Sequence, residues 1–298
     1  MPELPEIEGY VTGLKAHVQG QTLERVRLKS PFLLRSVEPE LAAFEGRELS
    51  GVGRLGKRLV LGFAGAGSLV LHLMIAGRLR WKAPGAGLPG KAGLLALDFP
   101  GGTLILTEQG SKRRASLHAV AESADLGPHD PGGLDPRGAS AEAFNEALRA
   151  HPRTVKRALC DPRTLDGIGN AWSDEILHRA GMSPFQRVRD MDSAALETLR
   201  RACLDVLGPA VERHRTAASL AFPDKVTAFQ PEMAVHGRFG QPCPACGAPV
   251  QRIVFATRNE MNYCAGCQTG GRILADRALS RLLREDWPKH LEDLEQGT

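Results

Sequence analysis

Apolar positions recur along this chain with two different periods, and the change from one to the other divides it. Residues Ile7 to Val18 carry apolar side chains at helical spacing and predict a short helix near the start. Alternating and β-branched segments follow at Leu23 to Leu28, Leu59 to Phe63, Leu69 to Leu73, Leu94 to Phe99 and Thr103 to Thr107. Turn signals such as Gly65-Ala66-Gly67 and Pro100-Gly101-Gly102 punctuate them. Short strands this closely spaced predict an antiparallel sandwich or barrel. Ala121 to Ala139 is rich in Asp, Gly and Pro and reads as a linker.

From Ser140 the helical period takes over. Phe144 and Leu148 stand one helical repeat apart, a second helix is expected from Arg153 to about Cys160, and a third carries Trp172, Ile176 and Leu177 after Gly167-Ile168-Gly169-Asn170. A longer helix starts at Asp192 or Ser193, either a good N-cap, with Leu196, Leu199, Cys203, Val206 and Leu207 on one face. Gly208-Pro209 is expected to kink or end it. Val226 to Gly240 shows neither period, Arg252 to Phe255 reads as strand, and Arg272 to Trp287 as an amphipathic helix packed on the body of the protein. The expected divisions are a sandwich domain over residues 1–120, a linker over 121–139, a helical domain over 140–236, a cysteine-bearing hairpin over 237–270 and a helical extension over 271–298. No internal repeat is visible.

Composition adds limits. With 298 residues, 42% of them hydrophobic and 24% charged, the chain is globular and long enough for two cores. No apolar run has the length of a membrane span, and glutamates stand where a signal peptide would carry lysines. A net charge of +4 and a pI near 8.8 suit a polyanionic partner only if the charge is clustered.

The six cysteines separate by pattern. Cys160 and Cys203 stand alone in apolar surroundings and read as small buried hydrophobes. Cys243, Cys246, Cys264 and Cys267 form two CxxC pairs separated by seventeen residues, a spacing that suits one four-thiolate zinc site. Such a site would be structural, contributing on the order of 10 kcal/mol to folding; a redox pair is the alternative. Arg238, Arg252, Arg258, Arg272 and Arg277 cluster around it, as a phosphate-binding patch or a solvated basic face.

Three smaller signals remain ambiguous by themselves. Met1-Pro2-Glu3-Leu4-Pro5-Glu6 is a helix start, with Pro5 in the first turn and acids near the N-terminus. Removal of Met1 would also leave Pro2 as a secondary amine able to form an iminium with an aldehyde-like carbon, beside Glu3 as proton carrier. The glycines before Asn170 either close a turn or open backbone N–H groups to phosphate. Lys57 ends a turn before an apolar strand, and His72 on a strand reads first as a core histidine.

The order of these motifs carries more than each alone. PELPE at the start, Gly56-Lys57 before a strand, HLMIAG from His72 to Gly77, LDGIGNAWSDEIL from Leu165 to Leu177 and the terminal CxxC pairs together resemble the bacterial formamidopyrimidine-DNA glycosylase and endonuclease VIII family over roughly Met1 to Gln268. The resemblance implies an α+β protein. Its parts would be an N-terminal antiparallel β-sandwich with an N-terminal helix, a helical domain with a helix–two-turns–helix motif, and a zinc-finger hairpin, here followed by an extra terminal helix. It implies a bifunctional DNA glycosylase/AP lyase of base excision repair acting on damaged double-stranded DNA, as a monomer in the bacterial cytoplasm. Pro2 would be the nucleophile, Glu3 the general acid/base and Lys57 the lysine supporting elimination. DNA contacts are implied for His72, Met74, Ile75, Lys112, Arg113, Lys156, Asn170 and Arg258, with one structural Zn²⁺ on Cys243, Cys246, Cys264 and Cys267. A damage-binding protein with little glycosylase activity is the alternative on the same scaffold.

The chain also departs from that family's pattern. Ile75 holds the usual position of a wedge methionine, with Met74 adjacent; the loop from Gln109 to Ser116 has no aromatic; Asn259 follows Arg258 where the finger commonly has arginine. The lesion class therefore stays open.

Overall fold

In the computed structural model the described residues are 1–110, 112–122, 126–227, 229–255, 260–275, 282 and 288–295. They form an α+β protein of two compact units, one comprising Met1–Gly132 and Pro209–Ala228, the other Gly133–Gly208 and Phe229–Thr298.

The first unit opens with helix α1 (Leu4–His17), whose Leu4, Ile7, Tyr10 and Leu14 are fully buried. Two four-stranded antiparallel sheets follow. One is ordered β1 (Arg25–Leu28), β6 (Gly93–Phe99), β7 (Gly102–Glu108), β5 (Gly77–Lys82); the other is β2 (Leu49–Leu55), β3 (Arg58–Phe63), β4 (Gly67–His72), β8 (Ser116–Val120). Their inward residues, among them Leu59, Leu61, Leu69 and Leu71 from one sheet and Leu79, Leu97, Leu104 and Leu106 from the other, share a single core with α1. Strands β2, β5 and β8 were not expected from the sequence. Glycines 51 and 53 interrupt the pattern of β2, and β5 alternates with only Leu79 and Trp81 against Arg78, Arg80 and Lys82.

The second unit holds helices α2 (Ala141–Arg149), α3 (Val155–Cys160) and α4 (Asn170–Arg179). Phe144 and Leu148 of α2 are fully buried, as their spacing predicts. Helix α5 (Ser193–Leu220) is capped by Asp192, whose Oδ1 accepts from Ala195 N at 2.8 Å. The helix does not end at Pro209 but continues through it for eleven residues to Leu220. The missing N–H is offset by packing beyond it: Arg215 Nη2 donates to Glu8 Oε2 at 2.8 Å, and Gly9 admits His214 to within 3.3 Å of where a Cβ would stand. The two compact units divide the chain at this same proline.

The C-terminal hairpin pairs β9 (Val250–Val254) with β10 (Glu260–Cys264), followed by the short helix α6 (Ala265–Thr269). The helix expected from Arg272 to Trp287 is corrected at its start: Arg272 forms an isolated bridge to His290, and Ile273 N donates to Lys289 O at 2.8 Å. Most of that segment lies outside the described residues, and a helical turn, α7 (Leu291–Glu295), follows. Leu274 and Leu291 pack on Ile253, Met261 and Tyr263 of the hairpin.

One turn has little tolerance. Gly77 N donates to Leu73 O at 2.9 Å, and a Cβ on Gly77 would lie 2.2 Å from that oxygen. Gly77→Ala is expected to cost about 2 kcal/mol or more in urea unfolding and to displace the 73–76 turn, whereas Gly51→Ala, with open space at its Cβ, should cost under about 1 kcal/mol.

Candidate functional site

Register gathers several of the expected residues at one end of the sandwich. Arg58 pairs with His72 and His72 with Ser116, while Gly77 pairs with Glu108 across the other sheet. The turns at 56–57, 73–76 and 109–115 leave from these rows. Gly56 takes φ +59 at the first central position of the two-residue β2–β3 hairpin, and Lys57 follows it, only 9% exposed. Met74 has the only positive φ among described non-glycine residues, +52, and Ile75 beside it is 59% exposed. Lys112 and Arg113 are exposed on the 109–115 loop. That loop is shaped by the buried Glu108 carboxylate, which accepts from Arg114 N at 2.9 Å and Ala115 N at 3.1 Å. His72 is held neutral: burial, then the charges of Arg58 and Lys57, lower its pKa from 6.5 to about 4.

The chain terminus faces charged residues of this unit. Pro2 is buried and Glu3 is 3% exposed. Glu3 and Glu6 form a reciprocal capping box, with Glu3 N donating to Glu6 Oε2 at 2.8 Å. The Met1 ammonium is pulled below its ordinary value of 8.0, first by burial and also by the charges of Arg78 and Lys57, against the opposing pull of Glu3 and Glu6. Pro2, Glu3 and Lys57 thus share one electrostatic environment. Arg78 belongs to it and was not expected. Its guanidinium is fixed by the carbonyls of Val226 at 2.6 Å, Gly77 at 2.7 Å and Ile75 at 3.1 Å.

The second unit builds around the turn before α4. Gly167 takes φ +76 and Gly169 is the N-cap. Asn170 is exposed, and its Nδ2 donates to Glu260 O at 2.6 Å. Lys156 sits beneath the same turn. It is buried, and its three ammonium protons meet Asn170 O at 2.7 Å, Ser173 Oγ at 2.7 Å and Asp174 Oδ1 at 2.5 Å. It fixes the turn carrying Asn170 from inside. Cys160 is half-buried, not core: its Sγ lies 3.3 Å from Gly169 O and 3.1 Å from Ser173 Oγ. Cys203 is fully buried as expected. Arg258 lies outside the described residues.

The four thiols converge, with Cys243 and Cys267 Sγ 3.8 Å apart and Cys246 and Cys264 Sγ 3.3 Å apart. Sulfurs bound tetrahedrally at about 2.3 Å stand about 3.8 Å from one another, so the set fits a metal ion. A fifth donor approaches from α4: His178 Nε2 is 3.2 Å from Cys243 Sγ, and it lies with Cys243, Cys264 and Cys267 within one 4.8 Å group.

Two domain families match this chain. The formamidopyrimidine-DNA glycosylase N-terminal domain covers residues 1–114, and the formamidopyrimidine-DNA glycosylase H2TH domain covers residues 133–221. The formamidopyrimidine-DNA glycosylase of Thermus thermophilus is 34% identical over 281 residues, 91% of this chain and 100% of that protein. The chain belongs to the formamidopyrimidine-DNA glycosylase family. The crystal structure of MutM (Fpg) from Thermus thermophilus superposes with a TM-score of 0.76 at 34% identity, over 90% of this chain and 98% of that one. Lactococcus lactis Fpg, solved with DNA containing an abasic site, shares the fold at a TM-score of 0.79 and 24% identity, over 90% and 99% of the two chains.

In this member of the glycosylase family, the acids that hold the second unit were not singled out from the sequence. Asp174 is 1% exposed; its Oδ1 meets Lys156, and its Oδ2 meets His236 Nδ1 at 2.7 Å and Asn262 N at 3.1 Å. Glu175 accepts from the N–H groups of Ala234, Val235 and His236 at 2.7–2.9 Å. Acids at adjacent positions beside the apolar Trp172, Ile176 and Leu177, Ser173-Asp174-Glu175-Ile176, were the available signal. Asp174→Asn leaves the Lys156 ammonium without its charge partner. It should cost about 3–5 kcal/mol in urea unfolding and hasten metal release to a chromogenic chelator.

Proposed function

We propose that this chain is a DNA glycosylase of base excision repair that works through its N-terminal amine and then cuts the strand it has opened. The observation that carries the reading is the buried terminus: Pro2 is buried next to Glu3, and burial together with Arg78 and Lys57 already lowers the pKa of the Met1 amine that precedes it. Lowering the pKa enlarges the nucleophilic, unprotonated fraction at neutral pH. With Met1 removed, the Pro2 nitrogen attacks the sugar C1′ of the damaged nucleotide and the base leaves with a proton. The C1′–O4′ bond then breaks, Glu3 delivering the proton that O4′ takes up, and the opened sugar is left joined to the protein by an iminium. Loss of the C2′ proton then expels the 3′ phosphate, with Lys57 supporting the elimination. The damaged base has to leave the stack for C1′ to be reached.

The remaining residues receive supporting roles. Met74, Ile75, Lys112 and Arg113 contact the duplex, His72 supports that surface as a neutral group, and Asn170 holds the backbone from a turn fixed by Lys156. Cys243, Cys246, Cys264 and Cys267 hold a structural Zn²⁺, a soft donor set suited to that ion, which staples the hairpin. The substrate is an oxidised or ring-opened base, after the formamidopyrimidine named in the relatives, and the setting is the bacterial cytoplasm.

Borohydride is expected to trap a covalent complex between abasic DNA and protein lacking Met1, the bond mapping to Pro2 by peptide mass. Retention of DNA binding with no trapping would select the damage-binding alternative. Glu3→Gln should lower base excision by about 10²–10⁴-fold with DNA affinity kept. An unchanged excision rate would remove Glu3 from the mechanism.

A further inference from the structure

Away from the terminus, the first unit carries a pocket of about 540 Å³ lined by Lys29, Phe32, Lys91 and Arg113, with Pro31 and glycines 90 and 93 between them. Phe32 is 80% exposed, the most exposed phenylalanine among the described residues. Its exposure is imposed by the backbone. Lys29 N and Ser30 N both donate to Leu94 O, Leu33 beside it is buried in the sandwich core, and Arg35 N donates to Leu117 O at 2.8 Å. With the chain pinned on both sides of the Pro31–Leu33 turn, the ring cannot turn inward.

The cations around the ring are equally constrained. Lys29 Nζ donates to Gly90 O, and the Arg113 guanidinium donates to Lys91 O. Both anchors are neutral carbonyls, so position is fixed and charge is left whole. None of Lys29, Lys91 and Arg113 makes an ion pair with a carboxylate among the described residues. Three uncompensated cations beside one fixed aromatic face match a nucleotide, whose base offers a π-face and whose phosphates offer charge. A paired base in a duplex has both faces covered by its neighbours, so the ligand is an unpaired one.

We propose that this pocket is a stacking site for an unpaired nucleobase of single-stranded DNA, with Phe32 as the platform and Lys29, Lys91 and Arg113 holding the flanking phosphates. The proposal adds to the glycosylase reading a second nucleotide site, which shares Arg113 with the duplex surface, and rests on that reading only for DNA as the polymer. It gives the protein a means of holding DNA already unpaired, as beside a gap or in an open bubble.

The test uses the full chain and oligothymidylate of about twelve nucleotides with one central 5-iodouracil. Ultraviolet irradiation should crosslink the iodouracil to the peptide containing Phe32. By fluorescence anisotropy, Phe32→Ala should weaken oligothymidylate binding about tenfold, Phe32→Trp should restore it, and duplex of the same length should bind both variants like wild type. Lys91→Gln with Arg113→Gln should reduce the salt slope of single-strand binding by about one to two. Equal affinity of Phe32→Ala and wild type for oligothymidylate, a crosslink elsewhere, or equal weakening of single strand and duplex would overturn the site. Borohydride trapping on abasic duplex, measured alongside, separates the two claims. Trapping equal in wild type and Phe32→Ala leaves the glycosylase reading standing whatever the single-strand result. Loss of trapping in both proteins, with the Phe32 effect intact, removes the catalytic reading and keeps the site.

Discussion

A carboxylate taken out of water has to be met on both oxygens, and in the second unit Asp174 sets this requirement. One oxygen answers the Lys156 ammonium, the other answers His236 and a backbone N–H of the finger strand. Because Lys156 also binds the carbonyl of Asn170, the glycine turn before α4 is held by the same ion pair that reaches the hairpin. Glu175 repeats the device one residue on, using three successive backbone N–H groups of the irregular segment from 234 to 236. Helix turn, irregular segment and hairpin therefore share buried acids as well as apolar contacts. The hairpin's apolar clusters are small, four buried residues in each of two groups.

The first unit solves a different problem. Its eight strands bury their inner faces in one cluster, and this fixes register. Fixed register decides which turns meet at an end. Lys57, the 73–76 turn and the 109–115 loop come together because Arg58, His72 and Ser116 occupy one row of the sheet. Burial there, and after it the charges gathered at that end, keep His72 neutral and lower the pKa of the Met1 amine. The electrostatic setting of the terminus is thus a product of strand pairing many residues away.

Much of this was legible in the sequence where period and chemistry agree. The five strands with strong apolar alternation, the helices carrying Phe144, Trp172 and Leu196, and the two CxxC pairs all follow from local pattern. Strands β2 and β5 were hidden because glycine or alternating arginine replaced the apolar signal on one face. At Pro209 the helix continues instead of ending, and Arg215 and His214 pack against α1 beyond it. The surroundings of Lys156 were not legible because its three acceptors lie fourteen to eighteen residues further on. Buried partners of this kind join residues some sixty to ninety positions apart, such as Asp174 with His236 and Asn262, and no window along the chain contains both.

The packing of the first residues has a consequence for biosynthesis. Pro2, Glu3 and Leu4 are buried, and the capping box closes over the chain as α1 forms. A peptidase that trims the initiator residue needs an extended, accessible end. For the proposed chemistry, trimming is therefore easiest before α1 docks into the sandwich. A chain that kept its first residue would carry the Pro2 nitrogen as an amide, with no free amine to attack a sugar.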